Sequence, residues 1–277
     1  MDFITIRDTK IPALGYGTWK LSGADCVKGV EMALANGYRH IDTAQIYENE
    51  TEVGAAIVNS GVGRENIFLT TKVWTENVRA GDLQSSVQES LRKLRVDSVD
   101  LLLIHWPVED KASFREQLAA LVDVQKRGQT KMIGVSNFTV AQMQHVVEEI
   151  GAPIVTNQVE YHPYLSQQPV LQYLKAKGMF LTAYSPIARG KVMEDKIIAR
   201  IAETHGKKPG QVALRWLLQQ GMVAAIPKAA SEKHMQDNIA IFDFSLTHAE
   251  MNEITALARA DGRMINPDWA PQWDVAA

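Results

Sequence analysis

The feature that most constrains the fold is a repeated alternation between short apolar runs and stretches with helical spacing. The apolar runs are rich in aliphatic and β-branched residues, and each is followed by a loop. Because they are nearly continuous rather than alternating with polar residues, they favour parallel strands buried on both faces. The predicted strands are residues 14–18, 38–42, 67–73, 99–105, 131–136, 154–158, 179–184 and 223–226.

The stretches between these runs have the spacing of amphipathic helices. Leu83, Val87 and Leu91 recur at every fourth position, and Gly37 and Gly128 each follow such a stretch, where a helix end favours positive φ. Eight strands alternating with helices predict an α/β fold, namely a (β/α)₈ TIM barrel formed by one domain over residues 1–277. A doubly wound sheet is the alternative, but no Gly-x-Gly-x-x-Gly motif follows any predicted strand.

Both ends of the chain add to this pattern. Residues 3–6 and 11–13 flank a polar turn and predict a small N-terminal β-hairpin that closes the bottom of the barrel. Residues 247–258 predict an extra C-terminal helix, since no strand follows them.

Composition excludes several classes of function. The 29 basic and 32 acidic residues give a net charge of −3, which argues against a nucleic-acid partner. A single cysteine, Cys26, excludes an intramolecular disulfide framework, and no histidine pair has metal-ligand spacing, so we expect no metal site. No apolar run is long enough to span a bilayer and no signal peptide is visible, so we expect a cytoplasmic protein without a membrane partner. We also expect a monomer.

Four polar side chains stand where strands end. Asp42, Lys72 and His105 terminate three predicted strands, and Tyr47 lies in the loop after the first of them. In a TIM barrel these ends converge on one mouth. A nearby ammonium would lower the pKa of the Tyr47 hydroxyl, Asp42 would hold Lys72 in place, and a neutral His105 would orient a carbonyl oxygen. Such a set can protonate an oxygen that gains charge as hydride reaches the adjacent carbon.

Each residue also has a structural interpretation. Asp42 alone could cap a loop, and Lys72 alone could be a strand-end lysine with its charge in water. The shared position at strand ends favours the catalytic interpretation for the whole set. His40 and His162 are better explained as hydrogen-bonded structural residues.

Tryptophans cluster near the same predicted mouth. Trp19, Trp74 and Trp106 each follow a strand end, where they could pack in the core or line a partly apolar substrate pocket. Trp269 and Trp273 lie in the C-terminal tail, where they either fold over the mouth or decorate the surface. We expect Trp19, Trp74, Trp106 and His105 to contact substrate.

Several segments of the chain resemble signatures of the aldo-keto reductase family. They are Leu-Gly-Tyr-Gly-Thr-Trp at 14–19, Gly-Tyr-Arg-His-Ile-Asp-Thr-Ala at 37–44, Val-Asp-Leu-Leu-Leu-Ile-His-Trp-Pro at 99–107, Ile-Gly-Val-Ser-Asn at 133–137, Asn-Gln-Val-Glu-Tyr-His-Pro at 157–163 and Ala-Ile-Pro-Lys at 225–228. The resemblance extends over essentially the whole chain. Segments 42–47 and 267–274 are most similar to the bacterial branch that reduces methylglyoxal and 2,5-diketo-D-gluconate.

The resemblance implies NADPH-dependent carbonyl reduction, with Tyr47 as proton donor assisted by Lys72, Asp42 and His105. It implies that Ser136, Asn137 and Gln158 bind the nicotinamide carboxamide and that Tyr184 stacks on its ring. The remaining positions that it assigns to the cofactor are Thr18, Trp19, Asp42, Ser185, Pro186, Ile187, Gly190, Lys228, Ala229, Ser231, His234 and Asn238.

The sequence departs from the family pattern beside the adenosine 2′-phosphate. The family usually carries serine where this chain has Ala229 and arginine where it has His234. Arginine offers a permanently charged and often bidentate grip on phosphate, which histidine does not. We therefore expect NADPH to remain the preferred cofactor, with NADH as a weaker alternative.

The expected substrates are aldehydes and reactive ketones. They include 2-oxoaldehydes such as methylglyoxal, aromatic aldehydes, and diketo sugar acids such as 2,5-diketo-D-gluconate, because the short loop at 108–112 predicts an open pocket. Two alternatives belong to other classes: a cofactor-binding regulatory subunit with little turnover, and a Schiff-base aldolase that uses Lys72.

Overall fold

The structure, a computed structural model, describes residues 1–274 and contains a sheet of eight parallel strands preceded by a separate two-stranded hairpin. The hairpin strands are β1 (Phe3–Ile6) and β2 (Thr9–Pro12). The strands of the large sheet are β3 (Tyr16–Gly17), β4 (His40–Asp42), β5 (Phe68–Val73), β6 (Val99–Ile104), β7 (Thr130–Ser136), β8 (Thr156–Glu160), β9 (Phe180–Tyr184) and β10 (Val223–Ala225).

The large sheet closes on itself. Its strands follow chain order from β3 to β10, and every neighbouring pair is parallel. At the seam, Leu14 bridges Ala225 in parallel, and the amide of Gly15 donates to the carbonyl oxygen of Ala225 at 2.8 Å. The predicted (β/α)₈ barrel and its eight strands are therefore confirmed, with differences at the strand ends. Strands β3 and β4 are shorter than the predicted residues 14–18 and 38–42, and β8 begins and ends two residues later than the predicted 154–158.

The hairpin lies at the bottom of the barrel, as predicted. Ile4, Ile6 and Ile11 are buried, and the carbonyl oxygen of Pro12 lies 3.2 Å from Nδ1 of His40, which begins β4. His40 is fully buried, and its contact with Pro12 agrees with the prediction that it is a structural residue.

Within residues 1–274, ten α-helices surround the barrel. They are α1 (Gly23–Ala35), α2 (Glu50–Asn59), α3 (Ala80–Leu94), α4 (Phe114–Lys126), α5 (Val140–Gln144), α6 (Gln168–Ala176), α7 (Lys196–Thr204), α8 (Pro209–Gln219), α9 (Glu232–Ile239) and α10 (His248–Thr255). Helix α10 confirms the extra C-terminal helix, and α7 is a further helix inserted before α8. Within residues 1–274, no helix is both long and apolar enough to cross a membrane.

Helices α2 and α3 approach each other closely at a glycine. A Cβ added to Gly54 in α2 would lie 2.5 Å from the carbonyl oxygen of Lys93, near the end of α3. That neighbour is backbone and cannot rotate away. A Cβ added to Gly81, in the first turn of α3, would meet nothing within 4 Å.

We predict that Gly54→Ala lowers the free energy of unfolding by about 1–3 kcal/mol, because the methyl group overpacks the contact between the two helices. The matched variant Gly81→Ala should instead raise it by about 0.5–1 kcal/mol, since alanine favours helix and the space is open. Urea unfolding monitored by circular dichroism measures both changes. Equal stability of the two variants would show that the close approach has no energetic consequence.

Candidate active site

A buried ion pair forms the centre of the barrel mouth. Nζ of Lys72 donates to Oδ1 of Asp42 at 2.6 Å and to the carbonyl oxygen of Thr43 at 2.8 Å. Asp42 ends β4 and is paired with Thr70 of β5, and Lys72 lies two residues further along β5, so it points to the same side of the sheet. The Lys72 side chain is 0% exposed, so this charge is neutralised by protein and not by bulk water.

Tyr47 lies next to this ion pair, in the loop that follows β4. It ends a single 3₁₀ turn, Gln45–Tyr47, and its hydroxyl oxygen lies 3.5 Å from Nζ of Lys72. Burial raises the pKa of Tyr47 well above its usual range, and the negative charge of Asp42 adds to the rise. The sequence-based expectation of a lowered pKa was wrong in direction, because desolvation outweighs the nearby ammonium. Tyr47 is therefore protonated at neutral pH.

Burial also controls the charges of Lys72 and His105. It lowers the pKa of Lys72, and the charge of Asp42 opposes this effect. Burial, with the positive charge of Lys72, lowers the pKa of His105 well below its usual range, so the ring is neutral near pH 7. The His105 ring lies edge-on to Tyr47 with centroids 5.9 Å apart, and its Nδ1 is buried with no hydrogen-bond partner among residues 1–274.

Polar residues near the carboxyl ends of β7, β8 and β9 form one hydrogen-bonded network with this centre. Nε2 of Gln158 donates to Oδ2 of Asp42 at 2.8 Å, and Ser136 donates to the carbonyl oxygen of Gln158. The Tyr184 hydroxyl donates to Oδ1 of Asn137 at 2.8 Å. Nδ2 of Asn137 in turn donates to the carbonyl oxygen of His105, so the network reaches the fourth predicted catalytic residue.

Two loops face each other beside this network. Thr18 is buried and hydrogen-bonded to the carbonyl oxygen of Asp42, while Trp19 is partly exposed. The guanidinium of Arg189 lies 5.1 Å from the centre of the Trp19 ring, which links the loop after β3 to the loop after β9. The second loop also contains the residues predicted to bind the cofactor, Ser185, Pro186, Ile187 and Gly190, of which Ser185 and Gly190 have φ values of 50° and 94°.

The residues predicted to bind the 2′-phosphate gather at the start of α9. Ser231 caps this helix by accepting a hydrogen bond from the amide of His234, and Lys228 and His234 are exposed. Ala229 and Asn238 are buried. The carbonyl oxygen of Ala229 accepts from the Tyr16 hydroxyl at 2.9 Å, so this residue joins the loop to the barrel.

An aromatic wall stands beside His105. The Trp74 ring lies edge-on to His105 with centroids 5.2 Å apart. Trp269 of the C-terminal tail contacts both Trp74 and Trp106, at centroid distances of 6.2 and 4.9 Å. Trp273 lies 6.1 Å from Trp106. We name Trp74, Trp106, Trp269 and Trp273 the tryptophan wall; within residues 1–274, no ring–ring contact joins Trp19 to it.

Sequence reasoning missed three residues at this mouth. They are Arg189, Arg263 and Glu160. The guanidinium of Arg263 lies 3.7 Å from the centre of the Trp273 ring, and Glu160 is fully buried at the end of β8. A signal for Glu160 was present, since it lies two residues after Gln158 and therefore on the same face of the strand. His162, predicted to be structural, contacts Glu160 at 2.9 Å. Among residues 1–274, no group of His, Cys, Asp and Glu side chains could hold a metal ion.

Comparison with known proteins assigns the family. The model of the aldo/keto reductase family matches residues 13–259, and the chain belongs to this family of oxidoreductases that act on carbonyl groups. It is 43% identical over 267 residues to methylglyoxal reductase DkgB of Salmonella typhi, which covers 95% of this chain and 99% of the relative.

Two further relatives agree with this assignment. Glyoxal reductase of Bacillus subtilis is 40% identical over 260 residues, covering 94% of this chain and 93% of the relative. A crystal structure described as a 2,5-diketo-D-gluconic acid reductase B has 50% identity and a TM-score of 0.96, covering 99% of this chain and 98% of the other.

We predict that Lys72→Met lowers the free energy of unfolding by about 3–5 kcal/mol, because Asp42 is left as an uncompensated buried charge. Adding Asp42→Asn should recover part of this loss, since both charges are then removed. The control is Lys93→Met, which removes an exposed lysine 3.9 Å from Glu89 and should change stability by less than about 1 kcal/mol. Denaturant unfolding measures all three, and a Lys72→Met variant as stable as the control would contradict the strong pairing.

Proposed function

We propose that this protein uses NADPH to reduce aldehydes and reactive ketones to alcohols, with Tyr47 as the proton donor. The observation that carries the proposal is a tyrosine hydroxyl 3.5 Å from a buried lysine, which Asp42 holds in turn at 2.6 Å. This arrangement lies at the end of a barrel where catalytic residues collect. Membership of the aldo/keto reductase family supports the same reaction class.

The donor set beside the ion pair suits a nicotinamide cofactor. A carboxamide has both a donor and an acceptor, and the side chains of Ser136, Asn137 and Gln158 offer amide and hydroxyl groups of both kinds on adjacent strand ends. Tyr184 would lie against the ring, and Lys228 and His234 would face the 2′-phosphate at the start of α9. When bound, NADPH supplies the hydride that adds to the carbonyl carbon.

The chain's own residues manage the proton. Tyr47 holds a proton on its hydroxyl and gives it to the carbonyl oxygen as negative charge grows there. The Lys72 ammonium stabilises the tyrosinate that remains, and Asp42 keeps Lys72 oriented. His105, which is neutral, is suited to hydrogen-bond the carbonyl oxygen and fix its direction.

The proposed substrates follow from the pocket and the relatives. The tryptophan wall gives an apolar side to a mouth that is otherwise polar, which suits an aromatic or small apolar substituent on the carbonyl carbon. Relatives are named for methylglyoxal, glyoxal and 2,5-diketo-D-gluconic acid. We therefore propose small 2-oxoaldehydes, aromatic aldehydes and diketo sugar acids.

The geometry argues against the two alternatives. A Schiff-base aldolase needs an approachable lysine amine, whereas Nζ of Lys72 is enclosed by Asp42 and Thr43. A regulatory subunit without turnover would have no need of an aspartate, lysine, tyrosine and histidine that contact one another in series.

We predict that Tyr47→Phe lowers kcat by about 10²–10⁴-fold, because the positioned acid is lost. NADPH affinity should be nearly unchanged, since the hydroxyl acts on substrate oxygen. Tyr173→Phe is the matched control: its hydroxyl donates to the exposed Glu148 on the outside of the barrel. Absorbance at the NADPH band with methylglyoxal measures turnover. Activity of Tyr47→Phe close to that of the control would reject Tyr47 as the donor.

We predict that His234→Arg tightens NADPH binding by about 10-fold or more and changes NADH binding little, because a hydrogen bond to a charged group contributes about 1.5–3 kcal/mol. Fluorescence titration measures both dissociation constants. His248→Arg, an exposed histidine at the start of α10, controls for the added charge. Unchanged NADPH affinity in His234→Arg would show that this position does not reach the phosphate.

A further inference from the structure

The C-terminal tail, defined here as residues 259–274, is attached to the segment that follows β8. The amide of Arg259 donates to the carbonyl oxygen of Tyr164 at 3.1 Å. A Cβ added to Gly262 would lie only 1.7 Å from the same oxygen, so the two backbones are in direct contact there. The tail therefore starts its path from a fixed point beside the barrel mouth.

Beyond this point the tail is held by the carboxylate of Glu160. Oε1 accepts a hydrogen bond from the amide of Met264 at 2.8 Å, and Oε2 accepts one from the amide of Ile265 at 2.9 Å. Nε2 of His162 lies 2.9 Å from Oε1. The side chains of Glu160 and His162 are both 0% exposed.

These contacts depend on each other. A carboxylate removed from water is strongly unfavourable unless donors surround it, and two of its three donors are tail amides. Conversely, those amides project from irregular backbone, and the Glu160 carboxylate at the end of β8 gives them a charged acceptor. The hydrogen bonds join residues 104 and 105 positions apart in the sequence.

The tail held in this way carries part of the tryptophan wall. Trp269 is 49% exposed and contacts Trp106 and Trp74, of which Trp74 lies against His105. The far end of the tail is held separately, since Oδ2 of Asp274 accepts from the amide of Val140 at 2.9 Å. Trp269 thus lies between two fixed points, and Glu160 supplies the one nearer the barrel interior.

We propose that Glu160 is a positioning residue for substrate: its carboxylate fixes Met264 and Ile265 so that Trp269 stands against Trp74 and Trp106 and forms one side of the carbonyl pocket. Glu160 then governs how bulky aromatic substrates bind, and leaves the proton chemistry of Tyr47 and Lys72 alone. This inference rests on the proposed carbonyl reduction, and Glu160 acts through the tail.

The main test is Glu160→Gln. Glutamine keeps one acceptor oxygen but turns an NH₂ group toward an amide donor, so at least one of the two tail bonds is lost. We expect hydrogen exchange at the amides of residues 264 and 265 to accelerate by about 10-fold or more, since a bond to a charged acceptor is removed. KM for an aromatic aldehyde should rise about 10-fold, while KM for methylglyoxal and both kcat values should stay within about threefold, because only the larger substrate packs on Trp269.

Glu250→Gln is the matched control. Glu250 also accepts a backbone amide, that of Thr247 at 2.7 Å, and also contacts a histidine, His205 at 2.9 Å, but it lies at the start of α10. It should leave exchange at residues 264 and 265 and both KM values unchanged. Equal effects of the two substitutions would assign Glu160 a merely structural role.

A second variant avoids any change to the barrel. Ile265→Pro removes one of the two amide donors from the tail itself, and should raise KM for the aromatic aldehyde selectively, even if Glu160→Gln fails to fold. In the double variant the two effects should not add, since they break the same interaction. Additive effects, or an Ile265→Pro variant with unchanged aromatic KM, would overturn the proposal.

The two readouts separate this inference from the proposed function. Faster exchange at residues 264 and 265 in a protein that reduces no carbonyl would leave the anchoring by Glu160 intact and reject its role in substrate binding along with the reductase. Normal turnover with unchanged exchange in Glu160→Gln would reject the inference and leave the reductase standing.

Discussion

The pairing of Lys72 with Asp42 is the interaction on which the rest of the mouth depends. Neither charge is in contact with water, and the desolvation of two ions is costly unless each finds close partners in fixed positions. Those partners come from separate elements. Lys72 of β5 donates to Asp42, which ends β4, and to the carbonyl oxygen of Thr43, which follows it, while Asp42 also accepts from Gln158 of β8. The pair can exist only in a closed barrel, where strands distant in sequence face a common interior.

The same pair sets the protonation of its neighbours. Its positive member helps to keep His105 uncharged, and its negative member helps to keep Tyr47 protonated. Burial also favours the neutral form of both residues, since it lowers the pKa of His105 and raises the pKa of Tyr47. One barrel interior thus holds a neutral hydrogen-bonding ring and a protonated hydroxyl side by side, which is the combination that a carbonyl oxygen requires as it becomes negative.

The sequence predicted those parts of the site that depend on the local pattern of apolar and polar residues. Apolar runs located the strands, and the polar residues that ended them located Asp42, Lys72 and His105, because strand ends converge in a barrel. The pattern could not give the direction of the Tyr47 pKa, which depends on how completely the folded chain excludes water. The spacing from Gln158 indicates which face of the strand Glu160 lies on, but it could not give the role of Glu160. Its partners Met264 and Ile265 lie more than a hundred positions away and offer backbone amides that carry no sequence signal.

This difference between local and distant determinants suggests a division of labour in the molecule. The residues proposed to handle the proton stand on or next to strands whose backbones are fixed by the barrel's own hydrogen bonds. The tryptophan wall is half built from an irregular tail, whose path is fixed by a few side-chain contacts at Glu160 and Asp274. We expect that replacing such contacts alters the shape of the pocket and leaves Lys72 and Tyr47 in place. A barrel organised in this way can change the carbonyl compounds that it accepts while it keeps one mechanism of proton transfer.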